Sequence, residues 1–182
     1  MSKPTKPYPV LFFTGLIYAD FLDIANIAKI LEENYGPIEE IMKPVDFHWT
    51  SYYAEEMGKG LKRTWAYFKE LIQPEELIAK KHISYEIEKR FANENSDRIL
   101  NIDPGIVTPA KLILSTYKDF SHRIYLGEGV YAEITLIFKD GQFQNLEWTY
   151  SDYADEENQK FFYRMRHYLK TKLGVMKNNG EI

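Results

Sequence analysis

The chain has no cysteine, which removes disulfides, thiolate nucleophiles, cysteine-held iron–sulfur clusters and cysteine-ligated zinc together; a metal would have to be held by His, Asp or Glu. It also lacks a block of like charge. Its 27 acids and 23 bases give a net charge of −4 and are interspersed, so a general grip on nucleic acid is not indicated. No apolar run approaches the ~20 residues that span a bilayer. Lys3 and Lys6 ahead of VLFFTGLIYA mimic a secretion signal, but Pro7 and Pro9 crowd the junction and Ile17 to Ala19 is a poor small-residue cleavage site. The expectation is a first strand and a cytoplasmic protein without membrane contact. Mechanistic motifs are missing too. EEMGKGLKRTW, Glu55 to Trp65, has the glycines and lysines of a phosphate loop without the GxxxxGK[ST] order or the strand-to-helix setting.

What is present is aromatic. Fourteen Tyr, 11 Phe and 3 Trp in 182 residues exclude disorder for the bulk of the chain and fit one domain of ordinary size. Val10 to Tyr18 is a continuous apolar run, read as a buried strand, with Asp20 placed to cap a helix starting near Phe21. Ile24, Ile27, Ala28 and Leu31 give that helix one apolar face, and Gly36-Pro37 stops it. Pro37 to Trp49 reads as a loop and short strand, SYYAEEMGKG as a turn-rich connection, and Leu61 to Leu71 as a strand. Pro74-Glu75-Glu76 opens a second helix running to about Phe91. Asn93 to Asp97 is a polar break, and Arg98 to Ile102 a short strand stopped by Pro104 and Gly105. Asp155 to Gly174 forms the last helix, leaving 175–182 as a frayed tail. The fold class is α+β: a single domain over 1–182, with a mixed or antiparallel sheet, a C-terminal meander and about three helices.

The densest polar segment is Ser115 to Glu133, STYKDFSHRIYLGEGVYAE. With Gly127-Glu128-Gly129 as a three-residue loop, Leu126 faces Val130, Ile124 faces Ala132 and His122 faces Ile134. On the other side Tyr125 meets Tyr131, Arg123 meets Glu133 and Ser121 meets Thr135. Asp140-Gly141 makes a second turn with Phe138 and Phe143 across it. The polar side, with Lys111 and Lys118 upstream, could clamp a small anionic, nucleotide-like or phosphate-bearing ligand: Arg123 and Lys118 fix the anion, Glu133 orients Arg123 or binds a cation, and a tyrosine stacks. His122, on the apolar side, is expected to be a hydrogen-bonded core histidine rather than a general base. Asp103 in NIDPG could hold a metal or a sugar hydroxyl; turn chemistry, with Gly105 at positive φ, is the simpler expectation.

Two rivals stand beside this reading. One is a homodimer or partner module using Tyr and Trp from SYY, WTYSDY and the last helix. The other is a two-histidine phosphoesterase, because HWTS at His48 and HISY at His82 both have the His-x-Ser/Thr spacing, although the second copy falls in a helix. Residue types leave the cofactor and any catalytic step unspecified.

YYAEEMG (Tyr52 to Gly58), LKRTW (Leu61 to Trp65), NIDPG, YKDFSHRIYLGEGVYAEITL and WTYSDY (Trp148 to Tyr153) resemble a bacterial and archaeal family of domains of unknown function. Its members are often labelled GTP-binding protein. The likeness runs from the first strand to FFYRMRHYL. It implies no catalytic residue set, and this chain carries neither a phosphate loop nor a guanine-specific NKxD to match the label.

Overall fold

The computed structural model describes residues 3–92 and 97–182. The first half comprises strand β1 (Val10–Ala19), helix α1 (Ile24–Tyr35), short strands β2 (Ile38–Ile41) and β3 (Val45–Asp46), single-turn helix α2 (Ala54–Met57) and long strand β4 (Leu61–Ile72). A 3-10 turn (Pro74–Glu76) opens helix α3 (Leu77–Arg90). The second half comprises β5 (Leu100–Val107), β6 (Lys111–Thr116), β7 (Ile124–Gly127), β8 (Val130–Lys139), β9 (Gln142–Asn145), single-turn α4 (Ser151–Ala154) and α5 (Glu156–Asn178). The described strands form one antiparallel sheet ordered β2-β4-β1-β5-β6-β8-β7, with β3 beside β4 and β9 beside β8. The protein is a single α+β domain. No helix among the described residues is long and apolar enough to cross a membrane.

β1 is buried along its whole length because it is central and both of its faces are covered. Val10, Phe12, Leu16 and Tyr18 pack against Ile27, Leu31 and Tyr35 of α1 and Leu77 and Ile87 of α3. Leu11 and Phe13 point the other way, to Phe161, Phe162, Met165, Leu169 and Leu173 of α5. Asp155 caps α5, its carboxylate accepting from the Glu157 and Asn158 amides at 3.0 and 3.3 Å. That cap contributes ~1 kcal/mol, whereas each buried large side chain of the stripe contributes ~1.5–3 kcal/mol. Packing, not capping, holds the helix.

Several local expectations are corrected. Asp23 rather than Asp20 caps α1, accepting from the Ala25 amide at 2.9 Å. Asp20 is still tied to the sheet, its amide donating to Gly60 O at 3.1 Å, so the helix cannot begin there. NIDPG is not a turn: β5 runs straight through it, with Thr14 opposite Pro104 and Gly15 opposite Asp103. Pro104 is tolerated because its carbonyl, and hence its missing N–H, faces β6, where the Ser115 hydroxyl donates to that carbonyl at 2.9 Å. Gly105 answers a close approach rather than a positive φ, since a Cβ there would lie 2.5 Å from both the Ile113 carbonyl oxygen and the Phe13 ring.

In the β7–β8 hairpin, Ile124 faces Ala132 and Tyr125 faces Tyr131 as expected, but Gly127 faces Val130 and Leu126 bulges out. The turn has two residues, Glu128 and Gly129, at φ 53 and 77°, a geometry that matches strand twist. β7 starts only at Ile124, so Ser121, His122 and Arg123 lie in the preceding turn, and strand alternation does not apply to them. The Phe138–Phe143 pair across Asp140-Gly141 is formed, with ring centroids 5.2 Å apart. The polar break expected at Asn93 to Asp97 lies, up to residue 96, outside the described residues.

Candidate functional site

On the α5 side of the sheet, two apolar patches fail to meet. One is the α5 core over Trp65 and Phe13; the other gathers Ile17, Ala19, Met57 and Leu61 with Phe47 and Tyr53. Between them a polar band crosses the strands: Arg63 on β4, Gly15 on β1, Asn101 and Asp103 on β5, and Glu133 on β8. Ile17 faces both Arg63 and Asn101, Gly15 faces Asp103, and Leu114 faces Glu133. The segments 47–53, 115–118 and 147–153 wall this band into a cleft of about 750 Å³, within the ~300–1,000 Å³ of small-molecule sites.

Arg63 forms the floor. It is 1% exposed, lies over the Trp65 ring at 4.2 Å and the Tyr153 ring at 5.2 Å, and pairs with Asp152 at 2.9 Å and Asp103 at 3.6 Å. Gly15 makes room for it, because a Cβ there would sit 2.7 Å from the Tyr153 hydroxyl and 3.0 Å from the guanidinium. Burial works against the Arg63 charge, but Asp152, Tyr153 and Asp103 outweigh it and hold the guanidinium ionised. Its Nε and Nη1, and Nδ2 of the buried Asn101, have no hydrogen-bond partner among the described residues.

Around this floor the other charges are mostly spoken for. Arg98 binds Glu56 through Nε and Nη2 at 2.7 and 2.8 Å and Asn101 through Nη1 at 2.8 Å. Glu88, whose carboxyl burial pushes above its ordinary value, accepts from the Ile102 amide at 2.6 Å. Burial likewise raises Asp152, against the pull of Arg63. Arg123 is fixed by Glu133 at 2.8 Å, the Lys118 carbonyl at 3.0 Å and the Tyr150 hydroxyl at 2.8 Å. Burial and then Glu133 push Tyr150 up to about 12. Lys118 meets only the Tyr52 hydroxyl at 2.9 Å and that tyrosine's ring; no carboxylate pairs with it among the described residues.

Of the residues singled out in the sequence, Asp103, Lys118, Arg123 and Glu133 line the cleft. His122 is not on an apolar strand face: it meets Glu133 at 3.1 Å and stacks on Trp148 at 4.8 Å, since the turn carries it to the same carboxylate as Arg123. Ser121 is exposed in that turn, the Tyr125 and Tyr131 rings meet at a tilt with centroids 5.1 Å apart on the edge hairpin, and Lys111 sits at the far end of β6 opposite Ile137. None of these four lines the cleft. Arg63, Arg98, Asn101 and Asp152 were missed. For Arg63 a signal existed, because Leu61, Arg63, Trp65 and Tyr67 share one strand face, and an arginine among large apolar residues marks a buried charge.

The two-histidine arrangement is not formed. His82 lies in α3 bonded to Tyr117 at 2.9 Å, His48 stacks on Trp49 at 4.2 Å, and neither lines the cleft. Ser84, the hydroxyl of the second copy, is buried against Tyr35 at 2.7 Å. Among the described residues no group of three or more His, Asp or Glu could hold a metal.

The chain belongs to a family of domains of unknown function (DUF4416), the match spanning residues 8–168. No curated protein and no solved structure matches it.

Proposed function

We propose that this DUF4416 domain binds a small anionic, nucleotide-like or phosphate-bearing ligand in the cleft over Arg63. The observation that carries the reading is the set of buried donors without acceptors, Arg63 Nε and Nη1 and Asn101 Nδ2, at the floor of an aromatic-walled cavity. Buried N–H groups left unpaired cost ~1–3 kcal/mol each, and acceptor oxygens of a ligand remove that cost. Lys118 meets the anion at the mouth, where no carboxylate among the described residues competes for it. Trp49, Tyr52, Tyr53 and Tyr150 offer faces for a planar or ring-shaped body. Arg123 is held by Glu133, the Lys118 carbonyl and the Tyr150 hydroxyl through one N–H of each nitrogen, which fixes it in the wall with two of its five N–H groups left to meet the anion.

The test is a thermal-shift screen against guanine and adenine nucleotides, with and without magnesium. A ligand at 100 times its dissociation constant stabilises by ~2.7 kcal/mol. Binding abolished in Lys118→Ala is the expected result; a guanine-selective shift would support the GTP-binding label, and no shift with any anion would remove the reading.

A second reading, self-association, draws on the edge strand. Phe120, Ile124, Tyr125 and Leu126 are 64, 69, 59 and 41% exposed at the β7 end of the sheet, where an unprotected strand can pair with another. The aromatics of SYY and WTYSDY, by contrast, largely line the cleft. Light scattering of wild type and Leu126→Lys decides it: a dimer lost in the variant supports this reading, a monomeric wild type ends it.

A further inference from the structure

Resting on the anion reading above, we infer that the ligand also carries vicinal hydroxyls, and that Asp103 receives them: the cleft takes a phosphorylated sugar or the ribose phosphate of a nucleotide rather than a bare acid. The chemistry lies in the contrast between Asp103 and the other enclosed carboxylates of the cleft. Glu88 accepts a backbone amide, Glu133 is shared by Arg123 and His122, and Asp152 pairs with Arg63 at 2.9 Å. Asp103, with its side chain 26% exposed, has a single partner among the described residues, Arg63 Nη1 at 3.6 Å, which is beyond hydrogen-bond reach.

An ionised carboxylate only accepts. A bare phosphate or carboxylate entering the cleft would satisfy Arg63 and Asn101 but would face Asp103 with like charge. An amine would satisfy Asp103 but would bring a cation toward Arg63. A hydroxyl does both, donating to Asp103 while accepting from Arg63 or Asn101 Nδ2, and a vicinal pair does so twice. Mid-strand placement on β5, between β1 and β6, fixes the carboxylate on a rigid element. The wall tyrosines Tyr53 and Tyr150 offer apolar faces to the C–H side of a sugar ring.

The experiment is calorimetric titration of wild type and Asp103→Asn with inorganic phosphate, ribose 5-phosphate, 2-deoxyribose 5-phosphate, glucose 6-phosphate and adenosine monophosphate. Ribose 5-phosphate is expected to bind at least about tenfold more tightly than inorganic phosphate and than its deoxy analogue, because a site that bonds a hydroxyl rejects the compound lacking it. Asp103→Asn should erase that preference while leaving phosphate affinity equal or improved. The wild-type comparison of ribose with deoxyribose stands even if the variant fails to fold. Equal affinity for phosphate and the sugar phosphates, or a preference unchanged in Asp103→Asn, overturns the inference and leaves anion binding intact; no binding by any probe overturns both. Glucose 6-phosphate and adenosine monophosphate distinguish a free sugar phosphate from a nucleotide as the source of the shared chemistry.

Discussion

Arg63 occupies a position where strand alternation places an apolar side chain, and its burial is tolerable only because Asp152 and Asp103 accompany it. Replacing it by Met strands the Asp152 carboxylate, which is 7% exposed, at a cost of ~3–5 kcal/mol in urea unfolding; adding Asp152→Asn should return a good part of that loss. Glu88 makes a second test. Burial raises its carboxyl, so the folded state holds that proton more tightly than the unfolded chain does. Its contribution is full below the unfolded value of about 4.3 and is lost as pH rises through the raised one. Glu88→Gln should therefore gain on wild type in melting temperature between acidic and neutral pH, and the opposite trend would show the Arg98 and Lys81 charges dominating. At this scale the sequence was half legible. Lys118, Arg123, Glu133 and Asp103 stood out by type and spacing, whereas Asn101 and Asp152 matter through neighbours that are distant in sequence.

Among the elements, α1 and α5 were readable from their helical apolar stripes, β1 from its continuous apolar run and β4 from a loose alternation that Arg63 interrupts. β5 was not, because Pro104-Gly105 carries the chemistry of a turn, and what keeps it extended is pairing with β1 and β6, distant in sequence, together with the Ser115 hydroxyl on the Pro104 carbonyl. The β7–β8 pairing was readable from alternation, but not its two-residue turn, since a glutamate at φ 53° is an uncommon choice there. Gly105→Ala tests the account of β5: with backbone and the buried Phe13 ring 2.5 Å from the new Cβ, overpacking should cost ~1–3 kcal/mol. A neutral result in denaturant unfolding would mean that β5 and β6 can separate without loss.

For the molecule as a whole, stability is graded outward from β1. Native-state hydrogen exchange should show the slowest amides in β1, β4 and β5, each paired on both sides, and the fastest in β7 and β9, which sit at the margin. Uniform protection across the sheet would contradict that gradient. The cleft draws on β1, β4, β5, β6 and β8 at once, which is why local sequence reading reached Asp103, Lys118, Arg123 and Glu133 singly but not Arg63, Asn101 and Asp152 between them. This topology also bears on synthesis. β1 leaves the ribosome first, yet its partner β5 is complete only after Val107. At ~5–20 residues per second, VLFFTGLIYA spends several seconds with at least one edge unpaired. A chain released before Val107 would expose that apolar, uncharged strand to its neighbours, so chains truncated before Val107 are expected to aggregate where the full chain stays in solution.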